Sequence, residues 1–373
     1  MKKNHVNEIF FLRSIACLTI VLLHSIAWGT EHIRVLSKLP DFLLIILDSL
    51  NVFLYYGTPV FIFITAFILG YSYKERIIDY KPFLLKRIKF ILLPYICMAV
   101  LYALPFLLIS FEQFTLKVFL NALIGDFHAY FVLIIFQFYL MFVFFKKWFD
   151  KHSPILVITS SLIINIIYLS VFNFTNSMNV WFSDYIWERY YWIPFPGWIF
   201  YYSLAYYTGR HYQIVTTYIN QYKYFVFSAP VITSLLLLFL YHSEFITIHS
   251  SKRIDILFHT ISIIALVLYI AMKMQRIPSI FLLISNYSYG IYLLHTLYMA
   301  ALILVFSLTS INLGIFTILI LFFGSILASI YTIYLFNLFP FGKYIVGNVD
   351  IKKTTMNTSR STLTMRSISK FLN

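Results

Sequence analysis

The chain has 373 residues, of which 61% are hydrophobic and only 11% are charged. Because soluble domains carry roughly 25% charged residues, this composition excludes a soluble protein and predicts an all-α polytopic integral membrane protein. The formal net charge of +14 does not indicate a nucleic-acid partner, since Lys and Arg accumulate in the cytoplasmic loops of membrane proteins.

Ten apolar stretches are predicted to span the membrane and to form one domain, residues 1–345. They cover residues 9–28, 50–71, 89–109, 127–145, 154–173, 195–209, 224–241, 254–272, 284–306 and 312–337. If the N-terminus is cytoplasmic, the inner segments hold 21 of the 28 Lys and Arg residues and the outer loops hold six. This bias follows the positive-inside rule and predicts that both termini are cytoplasmic.

The first span, residues 9–28, carries two ionisable side chains, Arg13 and His24. They are eleven residues apart, so both lie on one helix face, about 16 Å from each other along the axis. Ionisable groups at membrane depth are costly and usually functional. His24 is therefore a candidate general base for an acceptor hydroxyl, and Arg13 is a candidate donor to a phosphate or a developing oxyanion. The alternative is that both only tie helices together, and Cys17 between them is interpreted as filling space.

A basic cluster precedes the third span, in the sequence KPFLLKRIKFILLPY. Lys86 and Lys89 are three residues apart and would share a helix face, close to Lys81 and Arg87. The cluster suits the phosphates of a nucleotide-bearing acyl donor such as coenzyme A. Ordinary anchoring of a cytoplasmic loop explains it equally well from the sequence.

A Trp- and Tyr-rich outer segment, residues 174–198, has two interpretations. It is either an aromatic belt at the membrane interface or a stacking platform for a sugar. On the second interpretation the candidate glycan contacts are Trp187, Glu188, Arg189 and Trp198.

A second candidate site lies in the ninth span, in the sequence ISNYSYGIYLLHT. Ser288 and Tyr289 belong to a polar face that begins near the cytoplasmic end of the span, and His295 lies deeper. A buried His of this kind is often only a packing residue with satisfied hydrogen bonds. Beyond the last span, residues 346–373 are basic and Ser/Thr-rich, which predicts a disordered cytoplasmic tail.

The Arg-x10-His pair, the basic cluster and the SYGIYLLH sequence together resemble the acyltransferase-3 family of bacterial membrane acyltransferases. The sequences GTPVF, RIKFILLPYI, FQFYLM and FPGWIFYY resemble in particular the branch linked to export or O-acylation of poly-N-acetylglucosamine. The resemblance implies a ten-helix enzyme of the bacterial cell membrane. Such an enzyme takes an acyl group from cytosolic acyl-CoA and passes it to a glycan hydroxyl outside.

The resemblance also assigns roles to individual positions. Arg13 and His24 correspond to the family's essential pair, and Lys86 and Lys89 correspond to its cytosolic Arg-x-x-Arg. Lys keeps the positive charge there but loses the bidentate phosphate contact of Arg. Where the family has a Ser-Gly pair in the second span, residues 65–66 are Thr-Ala, and Ala does not permit as close a helix contact as Gly.

Two other functions stay open at this stage. The chain could export or flip a surface polysaccharide, although the paired Gly- or Pro-broken helices of many transporters are not evident. It could also be a structural partner of a glycan synthase, which would not need His24. For the enzyme, we expect acyl-CoA as donor substrate, a glycan acceptor, membrane lipid as surroundings, and neither a permanently bound cofactor nor a metal.

Overall fold

The computed structural model describes residues 6–36, 39–177, 182–309 and 313–349, and these residues form helices without any β-strand. The predicted all-α architecture is therefore confirmed. Most of the predicted tail, residues 346–373, lies outside the described residues.

The α-helices of the described residues are numbered here in chain order, and short 3₁₀ or π-helical turns join several of them. They are α1 (Asn7–Leu36), α2 (Asp41–Phe53), α3 (Gly57–Ser72), α4 (Tyr80–Arg87), α5 (Leu93–Leu101), α6 (Phe111–Phe119), α7 (Phe131–Lys151), α8 (Pro154–Phe174), α9 (Ser183–Glu188), α10 (Ile199–Arg210), α11 (Tyr212–Gln221), α12 (Lys223–His242), α13 (Ile256–Lys273), α14 (Ser279–Thr309) and α15 (Phe316–Asn337). The connection predicted before the fourth span is thus largely helical, because it contains α6.

Nine helical segments within the described ranges are long and apolar enough to cross a membrane. They are Asn7–Ile33, Asp41–Ser72, Tyr80–Leu108, Phe111–Lys151, Pro154–Phe174, Lys223–His242, Ile256–Lys273, Ser279–Thr309 and Phe316–Asn337. The chain is therefore a multi-pass membrane protein. Which side of the membrane each terminus faces stays a prediction.

The predicted sixth span, residues 195–209, differs from the others. Its counterpart α10 has 12 residues and is about 18 Å long, shorter than the roughly 30 Å hydrocarbon core. Two 3₁₀ turns, Tyr190–Trp192 and Phe195–Gly197, precede α10. The sixth span was predicted as residues 195–209, whereas the regular helix begins only at Ile199, after the 3₁₀ turn that contains Pro196.

Helix α10 is buried against α3, where two glycines allow the backbones to approach closely. A Cβ on Gly70 would lie 2.1 Å from the Tyr206 carbonyl oxygen, and one on Gly209 would lie 2.3 Å from the Phe67 carbonyl oxygen. Any side chain at either position would therefore separate the helices. This contact lies about one turn beyond residues 65–66, so the Thr-Ala pair there does not prevent it.

Helix α1 lies at the centre of the bundle and packs against α3, α13, α14 and α15. Its Cys17 is buried, with the thiol 3.9 Å from the Ser288 carbonyl oxygen of α14. This environment fits the packing role expected for Cys17. Because of this central position, buried polar side chains of α1 such as Ser14 and Ser25 are surrounded by protein.

Contacts between connecting segments define two ends of the bundle. At one end Arg210 bonds to Asp150, 2.5 Å away, and to the Lys74 carbonyl. This end also contains the start of α1 and of α4, and we call it the basic end. At the opposite end the Asn173 amide donates to the Lys252 carbonyl, 3.0 Å away. The residues predicted to be functional are distributed between these two ends and the middle of α1 and α14.

Candidate active site

A cavity of about 600 Å³ lies at the basic end and is called here the basic cavity. Arg13 of α1, Lys86 and Arg87 of α4, and Ser288 and Tyr289 of α14 all line it. The structure therefore brings together residues that were predicted from three separate stretches of the sequence.

The basic cavity is strongly cationic. Among the described residues, four Arg or Lys side chains line it, one of them Arg76, against one carboxylate, that of Asp79. Arg13 has no ion pair or hydrogen bond within the described part of the chain. The Arg87 guanidinium carbon lies 3.9 Å from the centroid of the Phe83 ring, a cation–π contact at the cavity wall. This excess of positive charge favours a polyanionic ligand.

Lys89, predicted to bind the donor together with Lys86, does not line the basic cavity. Its side chain is exposed, and it belongs to the π-helical turn Ile88–Leu92. The Tyr289 hydroxyl stabilises this turn by donating to the Ile91 carbonyl, 2.5 Å away. Because a π-helical turn contains more residues than an α-helical one, Lys89 is rotated away from the face of Lys86. The expected shared face assumed a regular α-helix, and the assignment of Lys89 to donor binding stays a prediction.

Three histidines meet near the middle of α1 and α14, and we call them the histidine cluster. His24 Nδ1 lies 2.7 Å from His295 Nε2, and the two rings are parallel with centroids 5.0 Å apart. His128, in the 3₁₀ turn His128–Tyr130, stands perpendicular to His295 with ring centroids 5.4 Å apart. In the described ranges, no group of three or more His, Cys, Asp or Glu side chains is arranged to hold a metal ion. The cluster is instead connected by hydrogen bonds.

The hydrogen-bond partners determine which nitrogens of the cluster carry protons. His295 Nδ1 lies 2.9 Å from the Ile291 carbonyl oxygen and must donate to it, so Nε2 of the neutral ring accepts. His24 Nδ1 is then the donor to His295, which leaves His24 Nε2 unprotonated. No described residue bonds to that nitrogen. His24 is therefore arranged to take a proton on Nε2 while His295 accepts from Nδ1.

His128 connects the histidine cluster to the basic cavity. Its Nε2 donates to the Tyr292 carbonyl at 3.1 Å, and its Nδ1 accepts from the Thr296 hydroxyl at 3.0 Å. The Tyr292 hydroxyl donates in return to the His128 carbonyl at 2.8 Å. Because Tyr292 also lines the basic cavity, the cavity ends beside the histidine cluster.

The second candidate site, predicted in the ninth span, is continuous with the first. Ser288 and Tyr289 line the basic cavity, and His295 bonds directly to His24. The polar face of α14 thus extends from the cavity to the cluster. Both ring nitrogens of His295 have hydrogen-bond partners, and one of these partners is the candidate base His24.

Arg13 and His24 occupy different parts of this arrangement. Arg13 lines the basic cavity, whereas His24 belongs to the histidine cluster. Eleven residues of α1 separate them by about 16 Å along the helix axis. Arg13 is therefore placed to bind a part of a substrate that lies far from His24. An oxyanion formed beside His24 needs a hydrogen-bond donor other than Arg13.

The four predicted glycan contacts have different environments at the opposite end. Trp187 is half-buried and donates to the Thr175 carbonyl at 2.9 Å, while Glu188 is exposed. Arg189 donates to the carbonyls of residues 125 and 127 at 2.6 and 2.7 Å. Trp198 is only 1% exposed, so its ring has no surface on which a sugar could stack, and that assignment is corrected.

Three residues of the candidate site were not predicted from the sequence. Arg76 and Asp79 line the basic cavity but lie in a connection with no distinctive motif. His128 lies at the start of the predicted fourth span, and its position in the chain has no spacing relation to His24 or His295. Only the packing of the turn His128–Tyr130 against α14 brings it to them.

Comparisons with known proteins agree with this arrangement. The family profile described as an acyltransferase domain, acyltransferase-3, matches residues 6–335. A putative membrane-bound acyltransferase, YfiQ of Bacillus subtilis (strain 168), is 34% identical over 92% of this chain and 95% of its own length. A probable poly-beta-1,6-N-acetyl-D-glucosamine export protein of Staphylococcus aureus (strain MSSA476) is 26% identical over 79% of this chain and 82% of its own. No solved structure gives a significant match.

Proposed function

The chain belongs to the acyltransferase-3 family, and from this premise we propose that it transfers an acyl group from acyl-CoA to a hydroxyl group of a cell-surface or lipid-linked glycan. The observation that carries the proposal is the continuity between the basic cavity and the histidine cluster. Tyr292 borders both of them. This arrangement supports a path along which a polyanionic donor would reach the base His24.

The basic cavity would hold the nucleotide part of the donor. Arg13, Arg76, Lys86 and Arg87 line it, and their positive charges match the phosphates of coenzyme A. The acylated arm of the donor would extend along the contact between α1 and α14 towards the histidine cluster. In this arrangement Arg13 binds the donor, and acyl-CoA is a substrate and not a resident cofactor.

The chemistry follows from the protonation of the cluster. The acceptor hydroxyl gives its proton to His24 Nε2 while its oxygen attacks the thioester carbonyl. The tetrahedral intermediate then breaks its C–S bond, and the departing thiolate of coenzyme A takes the proton from His24. His295 accepts the hydrogen bond from His24 Nδ1 throughout, so it orients the ring and stabilises its transient positive charge.

The distribution of charge supports an orientation for this reaction. The segments near the basic end hold most of the Lys and Arg residues, which favours a cytoplasmic position for the donor. The acceptor glycan would then reach His24 from the outer side of a bacterial cell membrane. Catalysis would carry only the acyl group across the membrane.

Reconstitution in vesicles tests the proposal. Radiolabelled acyl-CoA is supplied on the side of the basic end and a hydroxyl-bearing glycan on the other, and glycan-bound label is measured. His24→Ala should lower kcat by about 10²- to 10⁴-fold, the usual contribution of a general base. The donor KM should stay unchanged, because His24 does not line the basic cavity. His152→Ala, which removes an imidazole far from the cluster, should keep wild-type activity.

Export of a polysaccharide is the second candidate function, and the names of the staphylococcal relatives favour it. The same vesicles distinguish the two functions. If His24→Ala moves glycan across the membrane as well as the wild type does and neither protein transfers label, the acyltransferase proposal is rejected. If glycan-bound label appears only when a glycan synthase is co-purified, the result would indicate that the chain is a structural partner of that synthase.

A further inference from the structure

Lys252 is a buried cation at the opposite end that none of the predicted roles uses. Its side chain is 5% exposed, and its Nζ lies 3.4 Å from the centroid of the Trp192 ring and 4.7 Å from that of Tyr130. No carboxylate within the described ranges forms an ion pair with it. We call Lys252 and these two rings the lysine cage.

The backbone around Lys252 is held in one position. The Asn173 side chain donates to the Lys252 carbonyl and accepts from the Ile254 amide, each at 3.0 Å. The adjacent Arg253 is fully buried and bonds to Asp255 at 2.7 Å. The connection between α12 and α13 therefore places Lys252 rigidly, although no secondary structure supports it.

The lysine cage adjoins the histidine cluster. Tyr130 belongs to the same 3₁₀ turn as His128, and the His128 ring lies 5.4 Å from that of His295, which bonds to His24. The cage therefore lies beside the histidine cluster and, unlike Arg13, does not line the basic cavity.

The lysine cage has hydrogen-bond donors without acceptors. Besides Lys252, the Trp192 Nε1–H is buried and bonds to no described residue. Burying a cation without a counter-charge costs several kcal/mol, and the neighbouring Arg189 adds to that cost. Burial and Arg189 together lower the pKa of Lys252 well below its usual range. A negatively charged or strongly accepting group would remove this penalty.

We propose that Lys252 donates to the oxyanion of the tetrahedral intermediate that forms beside His24. This inference rests on the proposed acyl transfer. When the acceptor oxygen attacks the thioester carbon, the C=O π electrons move to the oxygen, and Lys252 stabilises that charge until the C–S bond breaks. Lys252 thereby supplies the hydrogen-bond donor that the oxyanion needs, because Arg13 lies about three helical turns away from His24.

The pH dependence gives a specific signature. The groups that face Lys252 are Arg189, His24 and the Tyr130 phenol. Since its pKa is lowered, Lys252 is charged below that pKa and loses its charge as pH rises through it. The alkaline decrease in wild-type kcat should therefore occur at a lower pH than it would if Lys252 had the ordinary pKa of a lysine. Lys252→Arg stays charged at all these pH values, so its alkaline decrease should move to higher pH.

Steady-state kinetics in the vesicle assay test the inference. Lys252→Met should lower kcat by about 10²- to 10³-fold, the effect of removing an oxyanion donor, with the donor KM unchanged. Lys252→Gln tests the same loss of charge with a polar side chain if the Met variant does not bind acyl-CoA. Lys117→Met removes another cation of the opposite end and should keep wild-type kcat.

The possible failures are distinguishable. Wild-type transfer that depends on His24, together with full kcat in Lys252→Met or Lys252→Gln, overturns the role of Lys252 alone. An alkaline decrease that is identical in wild type and Lys252→Arg overturns it as well. Absence of His24-dependent transfer in the wild type rejects the proposed function itself.

Discussion

The two ends of the bundle both carry cations that are paired with carboxylates, such as Arg210 with Asp150 at the basic end, but each end also carries a cation that is not paired in this way within the described residues. At the basic end, Arg13 faces a cavity without a carboxylate partner among the described residues. At the opposite end, Arg253 pairs with Asp255 at 2.7 Å and Lys117 pairs with Asp126 at 2.6 Å. Paired cations hold connecting segments together, whereas an unpaired cation is available to a ligand. Pairing, more than the number of charges, distinguishes a binding site from a scaffold.

Lys252 differs from the paired cations at the opposite end. It lies at the end where other cations are paired, yet it resembles Arg13 in having no carboxylate partner in the described part of the chain. The two unpaired cations flank the histidine cluster from different ends. Donor binding and stabilisation of the intermediate can thus be assigned to separate residues, and separate substitutions can test them.

The largest expected effect is on stability at the opposite end. Arg253→Met should lower the free energy of unfolding by about 3–5 kcal/mol, because it leaves the Asp255 carboxylate buried without its partner. The side chains of Arg253 and Asp255 are 0% and 6% exposed. Lys117→Met is the matched control, and should cost about 0–1 kcal/mol because its pair is more accessible.

Unfolding midpoints in detergent micelles measure this difference. The kcat of the molecules that remain folded should fall by less in Arg253→Met than in Lys252→Met, since the bonds of Arg253 to Asp255 and to backbone carbonyls only help to position Lys252. Equal free energies of unfolding for Arg253→Met and Lys117→Met would contradict the view that burial makes the Arg253–Asp255 pair important for stability.

An opposite pattern is expected at the basic end. Arg13→Met should raise the KM for acyl-CoA by about 10- to 100-fold, because a hydrogen bond to a charged group contributes about 1.5–3 kcal/mol. Stability should not decrease, since Arg13 has no ion pair or hydrogen bond to lose within the described residues. Titration of the purified protein with acyl-CoA gives the Kd directly. A loss of stability in Arg13→Met without a change in the KM for acyl-CoA would show that Arg13 stabilises the fold and does not bind the donor.

The sequence contained enough information for the general fold and for part of the site. Apolar length predicted the multi-pass helices, and spacing on one helix predicted that Arg13 and His24 share a face. Contacts between distant elements could not be predicted in this way. His128 and Lys252 reach the cluster only because the connections that carry them fold against α1 and α14, and their local sequence has no periodic pattern that indicates this.

Local irregularity limited the prediction in a second way. Helical spacing is a reliable guide only where the helix is regular, and the π-helical turn Ile88–Leu92 is not. In the predicted sixth span, residues 195–209, the regular helix likewise begins only at Ile199, after a 3₁₀ turn that contains Pro196. Both differences from the prediction occur where the backbone departs from a regular α-helix.

The smallest expected effect concerns Lys89. It tests whether the π-helical turn separates Lys89 from Lys86 or whether the two lysines share a face as in a regular α-helix. Lys89→Met should change the acyl-CoA KM by less than about twofold, because an exposed side chain outside the cavity contributes little to binding. Lys86→Met, the matched substitution on the cavity wall, should raise that KM by about tenfold, the lower part of the range for a charge-assisted hydrogen bond. If the two lysines acted as an ordinary i, i+3 pair, both substitutions would raise KM to a similar extent. Equal effects would therefore mean that the π-helical turn does not separate the two side chains when the donor is bound.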